Sequence, residues 1–361
     1  TETNLVIDPN DNDALDTPIV RGSVIKYRRT DGEDFKIATT DGLSDTGLVS
    51  AYKEVTSINR LPERNFAGFQ VKVTGDAELN QDDYYVEFAT DDGGSFGSGA
   101  YHEVTAFGSP FKLQSDTLPM QLLNSDVNEF TLSTTPFEDR EAGDDETNPF
   151  PSFVNNTINN LFFFKNRLGI LSKDHICMSE AGHFFNFFRK TTTSLLDSAP
   201  IDVSAASGRV TNLKAAEGFQ ENLILFADTA QFVLKGGDLL TPKTVSINPI
   251  TNFNYEAQVD PLPLGSYIYY PFTRGDYTGL REFTVNANSD TYDATEVTEH
   301  VPAYIPNNII NIAGTTSEDT IALISGDDPS CVYIYNYFWN NQQKVLSAWS
   351  KFTFTGEVRG I

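Results

Sequence analysis

Along the second half of the chain, short apolar runs come in pairs separated by turn-forming residues, the signature of β-hairpins. Residues 161–164 precede 168–171 across Lys165-Asn166-Arg167. Residues 223–226 precede 231–234 across Ala227-Asp228-Thr229. Residues 267–272 precede 280–285 around Arg274-Gly275-Asp276, and 321–324 precede 332–335 around Gly326-Asp327-Asp328-Pro329. The first strands of these pairs start at 161, 223, 267 and 321, at spacings of 62, 44 and 54 residues. Those values bracket the period of roughly 40–50 residues expected of propeller blades. Further strands are expected at 210–213 and 309–312, before two of the pairs, and at 348–354, after the last. One twisted sheet cannot bury both of its faces alone, whereas sheets packed radially against their neighbours can. Residues 153–361 therefore predict a β-propeller-like array of antiparallel blades, incomplete at its C-terminal end. No repeated sequence signature accompanies the period, and a β-sandwich is the competing fold.

The first half alternates less regularly. Residues 1–18 form a polar lead-in, and 19–135 predict a small mixed domain that is mostly β. Strands are expected at 24–27 and 35–37, joined by a turn at Asp31-Gly32, and at 69–73, 84–88, 101–104, 118–123 and 130–132. Leu48, Ala51, Tyr52, Val55 and Ile58 follow helical spacing, with Ser44 or Asp45 as N-cap and Leu61-Pro62 as stop, which predicts one helix. Residues 136–152 combine proline, glycine and charge, and are expected to form an acidic hinge between domains. The whole is mainly β.

Composition narrows the function. The chain has 361 residues, with 50 acidic and 25 basic side chains and a formal net charge of −25. Residues 1–150 carry 29 acidic and 11 basic groups. A nucleic-acid grip needs a basic footprint that releases counterions, and an anionic membrane surface needs basic residues too, so both are disfavoured. No run of about 18 apolar residues is present. Two distant cysteines, Cys177 and Cys331, make neither a disulfide framework nor a metal spacing.

Candidate chemistry is sparse. Asp8-Pro9-Asn10-Asp11-Asn12-Asp13 opens like a calcium loop, but positions six and twelve hold Asp13 and Ile19 where Gly and Glu are required. The glycines of Asp91-Asp92-Gly93-Gly94-Ser95-Phe96-Gly97-Ser98-Gly99 fit no phosphate-binding pattern and read as a hairpin tip. His175 and Cys177 share one face of an expected strand. They lack a third group, and no second Cys or His pair completes a zinc site with His183. No catalytic, cofactor or metal residue is assigned, and the chain is not expected to be an enzyme.

Several segments resemble the tail nozzle (tail tubular protein B) family of short-tailed bacteriophages. The clearest is Ala142-Gly143-Asp144-Asp145-Glu146-Thr147-Asn148-Pro149-Phe150-Pro151, leading into Leu161-Phe162-Phe163-Phe164-Lys165-Asn166-Arg167-Leu168-Gly169. Met178-Ser179-Glu180-Ala181-Gly182-His183-Phe184-Phe185-Asn186-Phe187-Phe188, then Ala199-Pro200-Ile201-Asp202, His300-Val301-Pro302-Ala303-Tyr304 and Ser347-Ala348-Trp349-Ser350-Lys351 follow in the family's order. Val71-Lys72-Val73-Thr74-Gly75-Asp76 fits in the first domain.

The resemblance implies a virion structural protein of the tail, assembled in the host cytoplasm as a hexameric homo-oligomer. It implies an adaptor ring protein and tail fibre protein as partners, no cofactor, and genomic DNA passing through the lumen without tight binding. It also implies that the chain is an internal segment, since family members extend beyond both ends. The charge then suggests an acidic channel wall, with Asp91, Asp92, Asp144, Asp145 and Glu146 as candidate channel-facing residues. The aromatic stretches Phe184-Phe185-Asn186-Phe187-Phe188 and 333–339 are candidates for subunit interfaces, with core packing as their other use. The alternative function is a β-rich receptor- or glycan-binding module of a phage particle, whose signature would be exposed Trp339 or Trp349.

Overall fold

The structure is a computed structural model, and it describes residues 4–7, 18–28, 37–40, 47–74, 83–205, 211–286, 291–340 and 343–361. The acidic turn at 8–13, Phe35-Lys36, the turn at Asp31-Gly32, the caps Ser44 and Asp45, Gly75-Asp76 and Val210 lie outside the described residues. The protein is mainly β, with half of the described residues in strands. It divides into two compact units: residues 1–150 with 188–199, and 151–187 with 200–361.

The first unit is built on a five-stranded sheet of Glu54–Val55, Gln70–Val73, Tyr84–Thr90, Phe96–Val104 and Arg64–Phe66, in that spatial order. Its long strands alternate inward and outward, so Val71, Val73, Val86 and Phe88 are buried. The unit also holds two separate hairpins, Ile19–Arg21 with Val24–Lys26 and Met120–Asp126 with Glu129–Thr134, and a pairing of Asn4–Ile7 with Ile37–Thr40.

Two expectations for this region are corrected. No α-helix forms over the stretch from Leu48 to Ile58. Lys53 adopts φ +57, Tyr52 bridges to Glu54, and Glu54–Val55 pairs in parallel with Lys72 and Val73. A left-handed residue cannot continue a right-handed helix, and sheet pairing overrides a weak period. Only a short 3₁₀ turn, Ile58–Arg60, follows, its amide at Asn59 capped by the Ser57 hydroxyl. The second correction concerns strand partners: Val24–Lys26 pairs with Ile19–Arg21, and Ile37–Thr40 pairs with Asn4–Ile7, not with each other.

The second unit contains four four-stranded antiparallel meanders, each in simple sequence order. The first runs from Asn160–Phe164 through Arg167–Ser172 and His175–Met178 to Ile201–Ser204. The second runs from Leu213–Phe219 to Ser246–Thr251, the third from Leu262–Leu264 to Thr291–Glu296, and the fourth from Ile309–Thr315 to Gln343–Thr353. They begin at residues 160, 213, 262 and 309, a steadier repeat than the hairpin spacings suggested. The reason is phase: 160–164 is the first strand of its meander, whereas 223, 267 and 321 lie in second strands.

Each meander packs face to face on the next. Leu171, Ile176 and Met178 of the first meet Leu223, Leu225 and Phe232 of the second. The opposite face of the second, with Ile224, Phe226 and Val233, meets Ile268, Tyr270 and Phe283 of the third. Tyr269 and Leu280 of the third meet Ile321, Leu323, Tyr333 and Tyr335 of the fourth. Strict alternation along central strands thus supplies two different cores from one sheet.

Candidate functional site

The acidic segment near residue 145 is built around a cation. Arg140 is 1% exposed. Its Nη1 donates to Asp145 Oδ1 (2.7 Å) and the Asn148 carbonyl (3.0 Å), and its Nη2 donates to the Pro110 carbonyl. The guanidinium lies 5.0 Å from the Phe150 ring centroid. These acceptors serve both Nη atoms, while Nε is buried without one; a guanidinium this buried is tolerated only when most of its donors are matched.

Asp144 organises the next turn. Its Oδ1 accepts from the Glu146 and Thr147 amides and the Thr147 hydroxyl, each at 3.0 Å, and its Oδ2 accepts from Tyr85 at 3.2 Å. Burial alone would push this carboxyl up, but the hydrogen bonds from Thr147, Glu146 and Tyr85 outweigh it and hold the pKa below the usual carboxylate value. Asn148 donates to the Ala142 and Arg189 carbonyls and accepts from the Arg189 amide. Glu103 accepts from Thr192 N (2.6 Å) and Thr192 Oγ1 (2.7 Å). Gly143, at φ +75, leaves no space for a side chain: a Cβ there would stand 2.5 Å from Thr192 Cγ2 and 2.6 Å from Thr147 Oγ1.

The five candidate acidic residues fall in two places of the first unit. Asp91 and Asp92 are exposed on the tip between Tyr84–Thr90 and Phe96–Val104, where Asp92 Oδ1 accepts from the Gly94 amide (2.9 Å). Asp145 and Glu146 are exposed, and Asp144 is half-buried in its turn. Asp144 and Asp145 are therefore tied to partners, which sequence could not reveal: Arg140 stands among acidic neighbours and carries no mark of burial.

The second unit explains the other motif residues. Lys165 and Asn166 both take positive φ (44° and 61°), as a two-residue hairpin turn requires. Arg167 is buried and donates to the Ser179 carbonyl (2.7 Å). A Cβ on Gly169 would stand 2.0 Å from the Phe162 ring. Of the aromatic run, Phe187 packs edge-on against Phe153 in this unit and Phe188 against Phe150 in the first, while Phe184 stays partly exposed.

The nucleophile candidates do not assemble into a catalytic group. Cys177 is buried; burial first, and then the Asp202 carboxylate, push its thiol far up and keep it protonated. His175 Nδ1 lies 3.3 Å from Asp202 Oδ1. Among the described residues, no group of three His, Cys, Asp or Glu could hold a metal ion, and no helix is long and apolar enough to cross a membrane.

Both tryptophans lie at the boundary of the third and fourth meanders. Trp339 stacks on Tyr267 (5.6 Å, 8°), and Trp349 stacks on Tyr335 (5.0 Å) and donates to the Val297 carbonyl (3.0 Å). Beside them, Lys344 Nζ donates to Glu282 Oε2 (2.6 Å), which also accepts from Tyr269 (2.6 Å).

The described polar side chains of these segments hold loops and join sheets. The profile of the Bacteriophage nozzle protein family matches residues 10–361, and the chain belongs to that family, one of structural proteins. The tail tubular protein gp12 of Escherichia phage T7 is 32% identical over 322 residues, which cover 89% of this chain and 40% of that protein. The chain thus spans well under half the length of this relative. The family is one of phage tail structural proteins and not of enzymes, so the protein is a virion tail component.

Among solved structures, one described as a 6-phosphogluconolactonase from Bacteroides fragilis matches at TM-score 0.38 and 13% identity, covering 96% of this chain and 97% of that one. Another so described, from Bacteroides uniformis, matches at 0.33 and 10%, covering 77% and 94%. Likenesses this low carry no argument about fold or activity.

Proposed function

We propose that the protein is a subunit of a hexameric ring around the tail axis, through which genomic DNA leaves the particle. In this reading it also docks an adaptor ring protein and a tail fibre protein, after assembly in the host cytoplasm. The observation that carries the reading is the nozzle-family match along nearly the whole chain.

The four consecutive meanders support a finer reading of the second unit as part of a β-propeller. Their central strands are apolar on both sides, as radially stacked blades require. In the same reading, residues 136–152 link a platform-like domain, 19–135, to the propeller region.

The net charge of −25 supports a lumen that repels phosphates. DNA in transit must slide, and a wall of carboxylates offers no counterion release to hold it. Asp91, Asp92, Asp145 and Glu146 are proposed to face the channel, with Asp144 fixing the loop that carries the last two. The test is duplex DNA binding by the assembled ring at low salt. No retention is expected for the native ring, and measurable retention once Asp91, Asp92, Asp145 and Glu146 are replaced by lysine. Tight binding by the native ring would refute the repelling wall.

The glycan-binding alternative loses its signature here. Trp339 and Trp349 are stacked into the boundary between two meanders, not presented to a sugar.

A further inference from the structure

The hairpin Met120–Asp126 with Glu129–Thr134 is amphipathic, and its apolar face is bare. The register places Met120 opposite Thr134, Leu122 opposite Leu132, and Asn124 opposite Phe130. Met120, Leu122, Phe130 and Leu132 therefore share one face, and they are 51%, 64%, 62% and 61% exposed. The other face is polar and knitted together: Gln121 donates to Ser133, and the Ser125 and Thr131 hydroxyls are 3.2 Å apart. Leu123 is that face's one apolar side chain. A two-stranded hairpin is marginal alone, and one with four large apolar groups in water calls for a cover.

The charge around this face selects the cover. Residues 115–134 carry Asp116, Asp126 and Glu129 and no basic group. The same unit holds a second bare hairpin of opposite sign, Ile19–Arg21 with Val24–Lys26. There Val20 and Ile25 form an exposed cross-strand apolar pair (56% and 49%). Residues 18–28 carry Arg21, Lys26 and Arg28 and no acidic group, in a chain with twice as many acids as bases. Within one copy neither hairpin covers the other, since both are exposed.

We infer that the apolar face of the 120–134 hairpin is a subunit contact, covered by the 19–26 hairpin of a second copy of this chain. Two different patches make a heterologous contact, so every subunit both gives and receives one, and the assembly closes as a ring or grows head to tail. Opposite charges fix which hairpin meets which, and like hairpins repel. The inference rests on the ring reading and names the surfaces that would join its subunits.

The test uses the purified chain, with mass read by light scattering and sedimentation and with folding checked by circular dichroism. The wild type is expected to assemble. Leu122→Asp with Leu132→Asp, two exposed positions, is expected to raise the dissociation constant at least ~30-fold, the loss of one interface hot spot or more. Asp126→Lys with Glu129→Lys is expected to weaken assembly, and adding Arg21→Glu with Arg28→Glu to restore it. A single variant carrying Val20→Cys and Leu122→Cys is expected to give an oxidised ladder beyond the dimer, while Cys177 and Cys331 stay buried. If the wild type assembles but the aspartate variant assembles equally well and the cysteines form no ladder, this contact is wrong and the ring stands. Cross-linking of Leu122→Cys alone into dimers would replace it with a like-to-like contact. A wild type that stays monomeric at every concentration overturns the ring and the contact together.

Discussion

The ion pair between Glu282 and Lys344 gives the sharpest stability test. The two side chains are 5% and 17% exposed, and they are joined at 2.6 Å between the third and fourth meanders. Glu282 also accepts from the fully buried Tyr269 hydroxyl, and Lys344 lies 4.9 Å from the Trp339 ring. Removing one partner of a buried pair leaves an uncompensated charge and costs about 3–5 kcal/mol. Lys344→Met strands the more buried carboxylate and belongs at the upper end, about 4–5 kcal/mol. Glu282→Gln keeps an acceptor for Tyr269 and strands the better solvated ammonium, at about 3 kcal/mol. The double variant leaves no charge behind and is expected within about 1–2 kcal/mol of wild type, because replacing both partners is often nearly neutral. Urea unfolding followed by tryptophan emission reads this boundary directly: the chain has two tryptophans, and both stack there. A cost of 3–5 kcal/mol moves the midpoint down by about 1–2 M in urea. Strictly additive losses in the double variant, or single losses below about 1 kcal/mol, would refute the pair as a coupled element.

Other expectations follow from single side chains. Burial, and then the Asp260 charge, raise the Glu217 carboxyl to about 7 from an ordinary 4.5, so its neutral form is favoured in the fold. Its contribution is complete below about pH 4.5 and is lost as pH rises through about 7. Glu217→Gln is therefore expected to unfold at a higher temperature than wild type at pH 8 and to lose that advantage by pH 5; equal pH profiles would count against the assignment. Arg140→Leu strands the Pro110 and Asn148 carbonyls and is expected to cost about 3 kcal/mol, read as faster proteolytic nicking at residues 136–152. Unchanged nicking would show that the arginine does not hold the segment. Gly169→Ala drives a methyl into the Phe162 ring and is expected to cost about 1–3 kcal/mol, with Phe162→Leu restoring part of it; an undisturbed melting curve would contradict the close contact.

The meanders of the second unit were legible because their strands are short, apolar and separated by turn residues. Lys165-Asn166 and Arg274-Gly275-Asp276 mark reversals by their own chemistry. The phase of the repeat was not legible: a central strand and an outer strand of a meander look alike when both are apolar on one side. The false helix between Leu48 and Ile58 shows the opposite failure. A helical spacing of five residues is a weak signal, and the parallel pairing of Val55 with Val73, eighteen positions away, decided the backbone instead. The partner of Val24–Lys26 was missed because the nearer turn lies before that strand, at Gly22-Ser23, and not after it.

Charge alone groups Asp91, Asp92, Asp144, Asp145 and Glu146 as one set, of which four are exposed and Asp144 is half-buried in its turn. The groups that organise the 136–152 segment leave no mark in the sequence. Nothing in a run of carboxylates announces that Arg140 is buried beneath them or that Asp144 closes a turn on Thr147. The bare face of the 120–134 hairpin was also invisible, because alternating apolar residues predict burial, and none of the described residues supplies it.

Electron cryomicroscopy of the phage particle that carries this sequence tests the central claim most directly. The account predicts a closed ring of six copies of the protein on the tail axis, with an open, acid-lined bore wide enough for duplex DNA. Density for the protein off the axis, or a ring whose bore is lined by lysine and arginine, would contradict it.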